Sequence, residues 1–249
     1  VSPKTRLAAF AIALSVPATP FASHAAEGNE WEWMVEPYAW VASIGTDMRT
    51  FSPPTQADSD MSFSDIVDKL DGVFMGRVEG RNGRFGAFTD FIYLGLADSH
   101  QRPSMQTSTD LDARLFDAAF SVRIGDQRDA GLDLYGGVRY IDLDLTTRFL
   151  PDNPGLPPRT LDAGESYLDF LFGARYAWPL SDRWNLVARG DGSVGETDGT
   201  WSASLMTSLR MGNGAWLFGY RYMEADLANR NSEVALDLSG PAVGYGFRF

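Results

Sequence analysis

Val243-Gly244-Tyr245-Gly246-Phe247-Arg248-Phe249, the last seven residues of the sequence, decide the fold. Side chains alternate between the two faces of a β-strand. Val243, Tyr245, Phe247 and Phe249 therefore share one face, and Gly244, Gly246 and Arg248 share the other. One face is apolar and aromatic to its last residue, while the opposite face is small or charged. Such a strand needs an apolar environment on the aromatic side.

The same alternation recurs upstream. Ten segments carry it, near residues 31–44, 72–81, 84–96, 111–125, 130–143, 164–178, 183–195, 200–211, 215–226 and 234–249. In the sixth, Leu168, Phe170, Phe172, Ala174, Tyr176 and Trp178 oppose Asp169 and Arg175. In the ninth, Trp216, Phe218, Tyr220 and Tyr222 oppose Arg221. The first is the least regular, since Trp33 and Trp40 have opposite parity and Pro37 weakens the strand. Tight turns with Gly, Asn, Pro or Asp (Arg81-Asn82-Gly83, 125–128, 179–182, Gly212-Asn213-Gly214) alternate with connections that are mostly longer, near 45–71, 97–110, 144–163 and 227–233. The exception is a short one near 196–200.

The beginning of the sequence reads as a secretory signal peptide. Lys4 and Arg6 precede the apolar run Leu7–Val16, Pro17 and Pro20 break it, and small residues follow. Cleavage after Ala25 is expected, giving a signal peptide over 1–25 and a mature barrel over 26–249, with cleavage after Ala26 as the alternative. No other apolar run approaches the length of a membrane helix, so a membrane-resident chain of this sequence must be a closed barrel. The formal charge is −12, and −12 − 2 = −14 once Lys4 and Arg6 are removed, which argues against nucleic-acid partners. Cysteine is absent, which excludes cysteine nucleophiles, disulfides and thiolate metal sites.

A soluble β-sandwich or lipocalin-like barrel would also alternate, with its apolar face inside. Here the apolar face is rich in Trp, Tyr and Phe near strand ends, as membrane girdles require, and nearly every strand carries a charge on the other face. The closing aromatic strand with Tyr245, Phe247 and a final Phe249 resembles the assembly signal of bacterial outer-membrane β-barrels. With the signal peptide and the strand pattern, nearly the whole chain resembles the small outer-membrane barrel class, the OmpA- and OmpW-like group, with no motif of a specific member. The resemblance implies an all-β, closed antiparallel transmembrane barrel of about ten strands, with eight as the alternative. It also implies export through the Sec pathway to the outer membrane of a Gram-negative bacterium. The implied partners are outer-membrane lipids, lipopolysaccharide and the barrel-assembly machinery.

The polar parity predicts a lumen lined by Arg77, Glu79, Asp90, Asp117, Arg123, Asp133, Arg139, Asp169, Arg175, Arg189, Asp191, Arg210, Arg221 and Arg248, with Glu32 and Glu36 from the first strand. Charges in a narrow low-dielectric tube must be paired. A ten-stranded barrel is only slightly wider than the eight-stranded kind that side chains fill. Arginine–carboxylate pairs would plug it, or they would line a narrow charge-selective channel. The expected function is accordingly a structural or narrow porin-like barrel, and the alternative is a barrel enzyme acting on lipid A, phospholipid or peptide.

The catalytic candidates are Asp98, Ser99 and His100, His100 being the single His outside the signal region, and the acidic pairs Asp58/Asp60 and Asp142/Asp144 are poorly placed as partners. They supply hydrolytic residue types, but adjacent strand residues face opposite ways. No cofactor or metal is expected. In the first long connection, Ser62 and Asp65 form a capping box, and Phe63, Ile66, Val67 and Leu70 recur at helical spacing, which predicts a short amphipathic helix within Phe63–Leu70. The connection around it is acidic, a pattern compatible with divalent cations near lipopolysaccharide but lacking calcium-loop spacing.

Overall fold

The computed structural model describes residues 31–249 except 52–53, 103–104, 126–129, 154–156 and 229–231; the signal-peptide assignment lies outside the described residues. The chain forms β1 (Glu32–Trp40), β2 (Ser43–Phe51), β3 (Pro54–Met61), α1 (Phe63–Lys69), β4 (Leu70–Asn82), β5 (Phe85–Arg102), β6 (Met105–Ile124), β7 (Gly131–Pro151), β8 (Arg159–Pro179), β9 (Trp184–Gly195), β10 (Gly199–Met211), β11 (Gly214–Ala228) and β12 (Ser232–Arg248). All twelve belong to one antiparallel sheet, ordered β1-β4-β5-β6-β7-β8-β9-β10-β11-β12-β2-β3, and β12 also pairs with β1. β1 and β2 follow one another along β12, from Met34↔Arg248 to Trp40↔Ala242 and from Ser43↔Ser239 to Thr50↔Ser232. They are one barrel strand interrupted at Val41–Ala42, so the wall contains ten strands and is closed. The alternative of eight is excluded.

Closure is made between the first and last strands: Phe249 N donates to Trp33 O at 2.9 Å, and Trp33 N donates to Phe249 O at 3.2 Å. At one end of the barrel, here the turn end, the connections are tight. Gly83 (φ 57°) and Gly212 (φ 58°) supply the left-handed conformation two of these turns require. The other, hairpin end is where the sequence reading is corrected. Residues 97–110 and 144–163 were expected as loops, but β5, β6, β7 and β8 continue through most of them as strands up to 21 residues long. They form a tall wall; β9 and β10 stop low, and β11, β12, β2 and β3 rise again. Residues such as Ser108, Thr146 and Thr147 are polar on both faces, so no buried side marks these strands, and their main chain holds them through regular pairing.

The exterior apolar residues form a band about ten residues deep on each strand. At about 3.3 Å per residue and a tilt of about 40°, this is about 25 Å, the height of a transmembrane barrel belt. Aromatics rim it. At the turn end Trp31 stacks on Trp33, Tyr176 packs at a tilt against Trp178, and Tyr245 meets Trp216 and Phe247 edge-on. At the hairpin end Trp201 packs on Tyr222 and its Nε1 donates to Glu224 at 2.7 Å, with Tyr222 OH donating to Asp237. Outside that rim the first exterior charges appear, among them Arg114 and Asp142, paired at 2.5 Å. The opposed parities of Trp33 and Trp40 are both correct for one strand: Trp33 is in the outer rim, 48 % exposed, and Trp40 is inside, 6 % exposed.

The predicted helix is present, with the full capping box: Ser62 N donates to Asp65 Oδ2 at 3.0 Å and Asp65 N to Ser62 Oγ at 3.5 Å. These bonds to Ser62 hold the Asp65 carboxyl below the usual range. Ile66 is buried, while Phe63, Val67 and Leu70 are exposed.

Candidate functional site

The interior is the candidate site. In side-chain character it has two layers.

The layer nearer the turn end is ionic. Asp133 on β7 accepts from Arg123 Nε on β6 at 2.8 Å, Arg81 Nη2 on β4 at 2.9 Å and Arg175 Nη2 on β8 at 2.9 Å. Arg175 also forks onto Glu79 of β4, at 2.7 and 2.6 Å, crossing the lumen because β4 and β8 are not neighbours in the sheet. Arg77 donates to Glu79 at 3.0 Å and lies over the Phe88 ring, 3.9 Å from its centroid.

Further in, Arg139 is the hub. Its Nε and Nη2 donate to the two oxygens of Asp117 at 2.8 Å each, Nη2 also to Asp191 at 2.8 Å, and Nη1 to Thr200 Oγ1 at 2.7 Å. The side chains of Arg139, Asp117 and Asp191 are 0 % exposed. Asp191 additionally accepts from Ser202 Oγ at 2.8 Å and Arg189 Nε at 2.9 Å. Asp90 accepts from Tyr38 OH at 2.6 Å, and Arg221 lies over the Trp40 ring at 4.7 Å. Buried charges persist only when paired and hydrogen-bonded, and this network supplies both from six or more strands.

Beyond Arg139, Asp169 and Arg221 along the same faces, the interior becomes apolar. Trp40, Ile141, Tyr167, Met223, Ala225, Leu227 and Ala242 form one buried cluster, with Met75, Ile92, Leu115 and Leu143 among the side chains packed against it. These come from strands as far apart as β1 and β7 and meet across the lumen.

Several sequence expectations require correction. Asp169 lies in no ion pair among the described contacts: it accepts from Ser193 Oγ at 2.7 Å, Thr197 Oγ1 at 2.5 Å, Thr197 N at 3.1 Å and Glu196 N at 2.9 Å, and so fastens the β9–β10 hairpin. Arg248 is exposed at the turn end, and Arg210, half-buried, borders a surface depression with Pro179, Ser181 and Asn185. Glu32 is exposed, whereas Glu36 is buried. Arg81 was read as a turn residue, although it continues the parity of Arg77 and Glu79. Tyr38, Tyr135, Ser193 and Thr200 were also missed; each lies on the inward parity beside a charge. Tyr245, Phe247 and Phe249 lie on the exterior parity, with Phe249 70 % exposed.

The catalytic candidates are not assembled into a hydrolytic site. His100 is 69 % exposed, and its Nδ1 lies 3.6 Å from Asp98 Oδ1. Asp98 is held by Lys69 Nζ at 2.7 Å, which keeps its carboxyl below the usual range. Ser99 points to the other face, opposite Ser108. Among the described residues no group of His, Asp and Glu is arranged to hold a metal ion.

These features define a class: a closed antiparallel barrel of the outer-membrane type, small, with a charged interior and an apolar exterior. The barrel is similar to the crystal structure of the outer membrane protease OmpT from Escherichia coli, with a TM-score of 0.53 and 9 % identity over 89 % of this chain and 97 % of that one. It also matches the translocator domain of the autotransporter NalP from Neisseria meningitidis (TM-score 0.40, 18 % identity, 90 % of each chain). A third match is the attachment invasion locus protein Ail of Yersinia pestis (TM-score 0.38, 11 % identity, 89 % of this chain and 99 % of that one). No family model and no curated protein matches the sequence. The likeness to OmpT is one of fold.

Proposed function

We propose that this chain is a bacterial outer-membrane barrel whose lumen is shut to ions and solutes, a structural element of the envelope that presents its hairpin end to the outside. The observation that carries the reading is the Arg139 hub. One fully buried guanidinium on β7 binds carboxylates on β6 and β9 and a hydroxyl on β10, which places a hydrogen-bonded bar across the tube. The apolar layer closes the tube a second time. The exterior belt and aromatic rims support residence in a bilayer. The exterior aromatics Tyr245, Phe247 and Phe249 support delivery by the barrel-assembly machinery.

Planar-bilayer recording of the purified protein tests this. Brief, small events or none are expected. Large, stable conductance that varies with the salt would replace the plugged barrel with a narrow channel.

A further inference from the structure

The tall wall ends on a free edge. β8 begins at Arg159, but its pairing with β9 starts only at Asp169↔Gly195. Over 159–168, β8 pairs with β7 alone among the described residues, from Phe149↔Arg159 to Tyr140↔Leu168. The alternation of an antiparallel ladder fixes which groups face the free side. Leu168 O accepts from Glu196 N at 3.4 Å, and Leu168 N donates to Glu196 Oε2 at 2.8 Å, so Leu168 turns its main chain toward β9. Ser166, Gly164, Asp162 and Thr160 share its parity. Their N–H and C=O groups therefore point to the same side, above the tip of the β9–β10 hairpin. All four residues are exposed.

On the opposite side of the rim, the gap between β3 and β5 is covered: α1 packs against both, and Lys69 holds Asp98 of β5 at 2.7 Å. Among the described residues nothing comparable covers β8. The stretch 159–168 contains no Pro, Lys or β-bulge, devices that commonly blunt an edge. Above their tip, β9 and β10 leave a notch two strands wide, at about 4.8 Å per strand. The notch is acidic. A Cβ on Gly164 would lie 2.6 Å from Asp144 Oδ1, so the Asp144 carboxylate leans across Gly164, beside Asp162 on the same exterior face. Glu196 and Asp198 stand exposed at the base, on the hairpin tip. Partial burial and the like charges of Glu224, Asp198 and Asp237 raise the carboxyl of Asp226 on the far side of the notch. Arg148 and Arg159, the cations of this part of the wall, sit at its upper end.

We propose that the β8 edge over 159–168 is a docking strand for an extended cationic segment of a partner protein, which adds to the sheet by main-chain pairing. The segment's N–H and C=O groups pair with those of Thr160, Asp162, Gly164 and Ser166. Its Lys or Arg side chains on the exterior face reach Asp144 and Asp162, and its lower end meets Glu196 and Asp198. The same carboxylates set the edge against a second copy of itself. The site lies on the flank of the wall and needs no open lumen, so it stands apart from the conductance reading.

The test uses the full barrel in phosphatidylcholine nanodiscs. The probe is a fluorescent peptide of about eight residues alternating Arg and Thr, long enough to span the edge, followed by anisotropy. Binding should saturate and weaken with salt, and a peptide alternating Glu and Thr should not bind. Two sets of N-methylated probes, blocked on one parity or the other, separate main-chain pairing from plain charge attraction. At least one set should bind about tenfold or more weaker than the parent, having lost several hydrogen bonds at unchanged charge. Ser166→Pro removes an N–H on the unpaired side and leaves the β7–β8 ladder its bonds, so it should weaken binding to a similar degree while keeping heat-dependent gel mobility. Asp144→Asn with Asp162→Asn should weaken the Arg probe and reduce its salt dependence. The methylated probes keep the test valid if Ser166→Pro fails to assemble. Binding that never saturates, that survives methylation on both parities, or that the Glu probe shares overturns the proposal. So does self-association of the barrel that Ser166→Pro abolishes, which would assign the edge to a second copy.

Discussion

Arg139 and Asp117 face each other across β7 and β6 through two parallel 2.8 Å contacts, and neither side chain reaches solvent. The pair is the centre of the buried charge in the barrel.

Arg139→Met should destabilise the barrel strongly, by about 3–5 kcal/mol, because Asp117 loses its bidentate partner inside the wall. The double variant Arg139→Met with Asp117→Leu should recover a good part of that loss, since Asp191 keeps Arg189. Urea unfolding in lipid vesicles measures both. A double variant no more stable than the single would show that the two residues are not energetically coupled.

Removing Phe249 should cut the amount of assembled, heat-modifiable protein several-fold, whereas Asp58→Asn should leave it near wild type. Phe249 exchanges main-chain hydrogen bonds with Trp33 and closes the wall, while Asp58 lies on the external β2–β3 hairpin. Equal levels of the two variants in membrane fractions would refute this.

Two exposed carboxylates at the hairpin end should respond oppositely to acid. Asp47 faces Asp58 across β2 and β3, and the hydrogen bond and charge of Asp58 raise its pKa, with Asp237 adding to this and Arg49 opposing it. A raised pKa stabilises the fold below the unfolded value of 3.8, and that contribution fades as pH rises through the folded value. Asp98 is the reverse. The Lys69 bond lowers its pKa, so its contribution is present above 3.8 and is lost as pH falls through the lower folded value, with His100 acting in the same direction. Hydrogen exchange from pH 6 to pH 3 should therefore show α1 losing protection while the β2–β3 hairpin keeps or gains it, both effects shrinking in high salt. Parallel loss in both segments would count against the assignment.

Gly240→Ala should impair folding, because a Cβ there would overlap the Val41 carbonyl where the first barrel strand breaks into β1 and β2. Val41 N instead donates to Pro241 O at 2.8 Å. Gly83→Ala, with open space around it and only a turn conformation to strain, should cost much less, of the order of 1 kcal/mol. Thermal unfolding of the two variants ranks them.

The barrel was legible because its two environments differ so sharply. Phe170, Phe172 and Arg175 cannot share a face, so period separates the two faces, the aromatic or charged character of each tells exterior from interior, and the Ser62–Asp65 box marks α1 in the sequence. What the sequence left open follows from distance. Nothing local pairs Arg175 with Glu79, 96 positions away, rather than with Asp169 on its own strand. The apolar layer was hidden for a different reason. Ile141, Tyr167 and Met223 lie on the parity that Arg139, Asp169 and Arg221 mark as polar, so a one-character reading of each face missed the change halfway along it. The strands of 97–110 and 144–163 escaped because they run past the apolar exterior belt and lose the contrast that reveals a strand.

The mutual hydrogen bonds of Trp33 and Phe249 place the first and last strands of the barrel side by side, in register, within one continuous wall. Geometrically the barrel has no first strand: its connectivity is that of a ring cut at one point. Joining Trp31 to Phe249 with a short linker and recutting at Asn82–Gly83 or Asn213–Gly214 would give the same ten staves in a different order, with a different strand presented last. Such circular permutants would separate what the ring requires in order to stand from what the cell requires in order to recognise it.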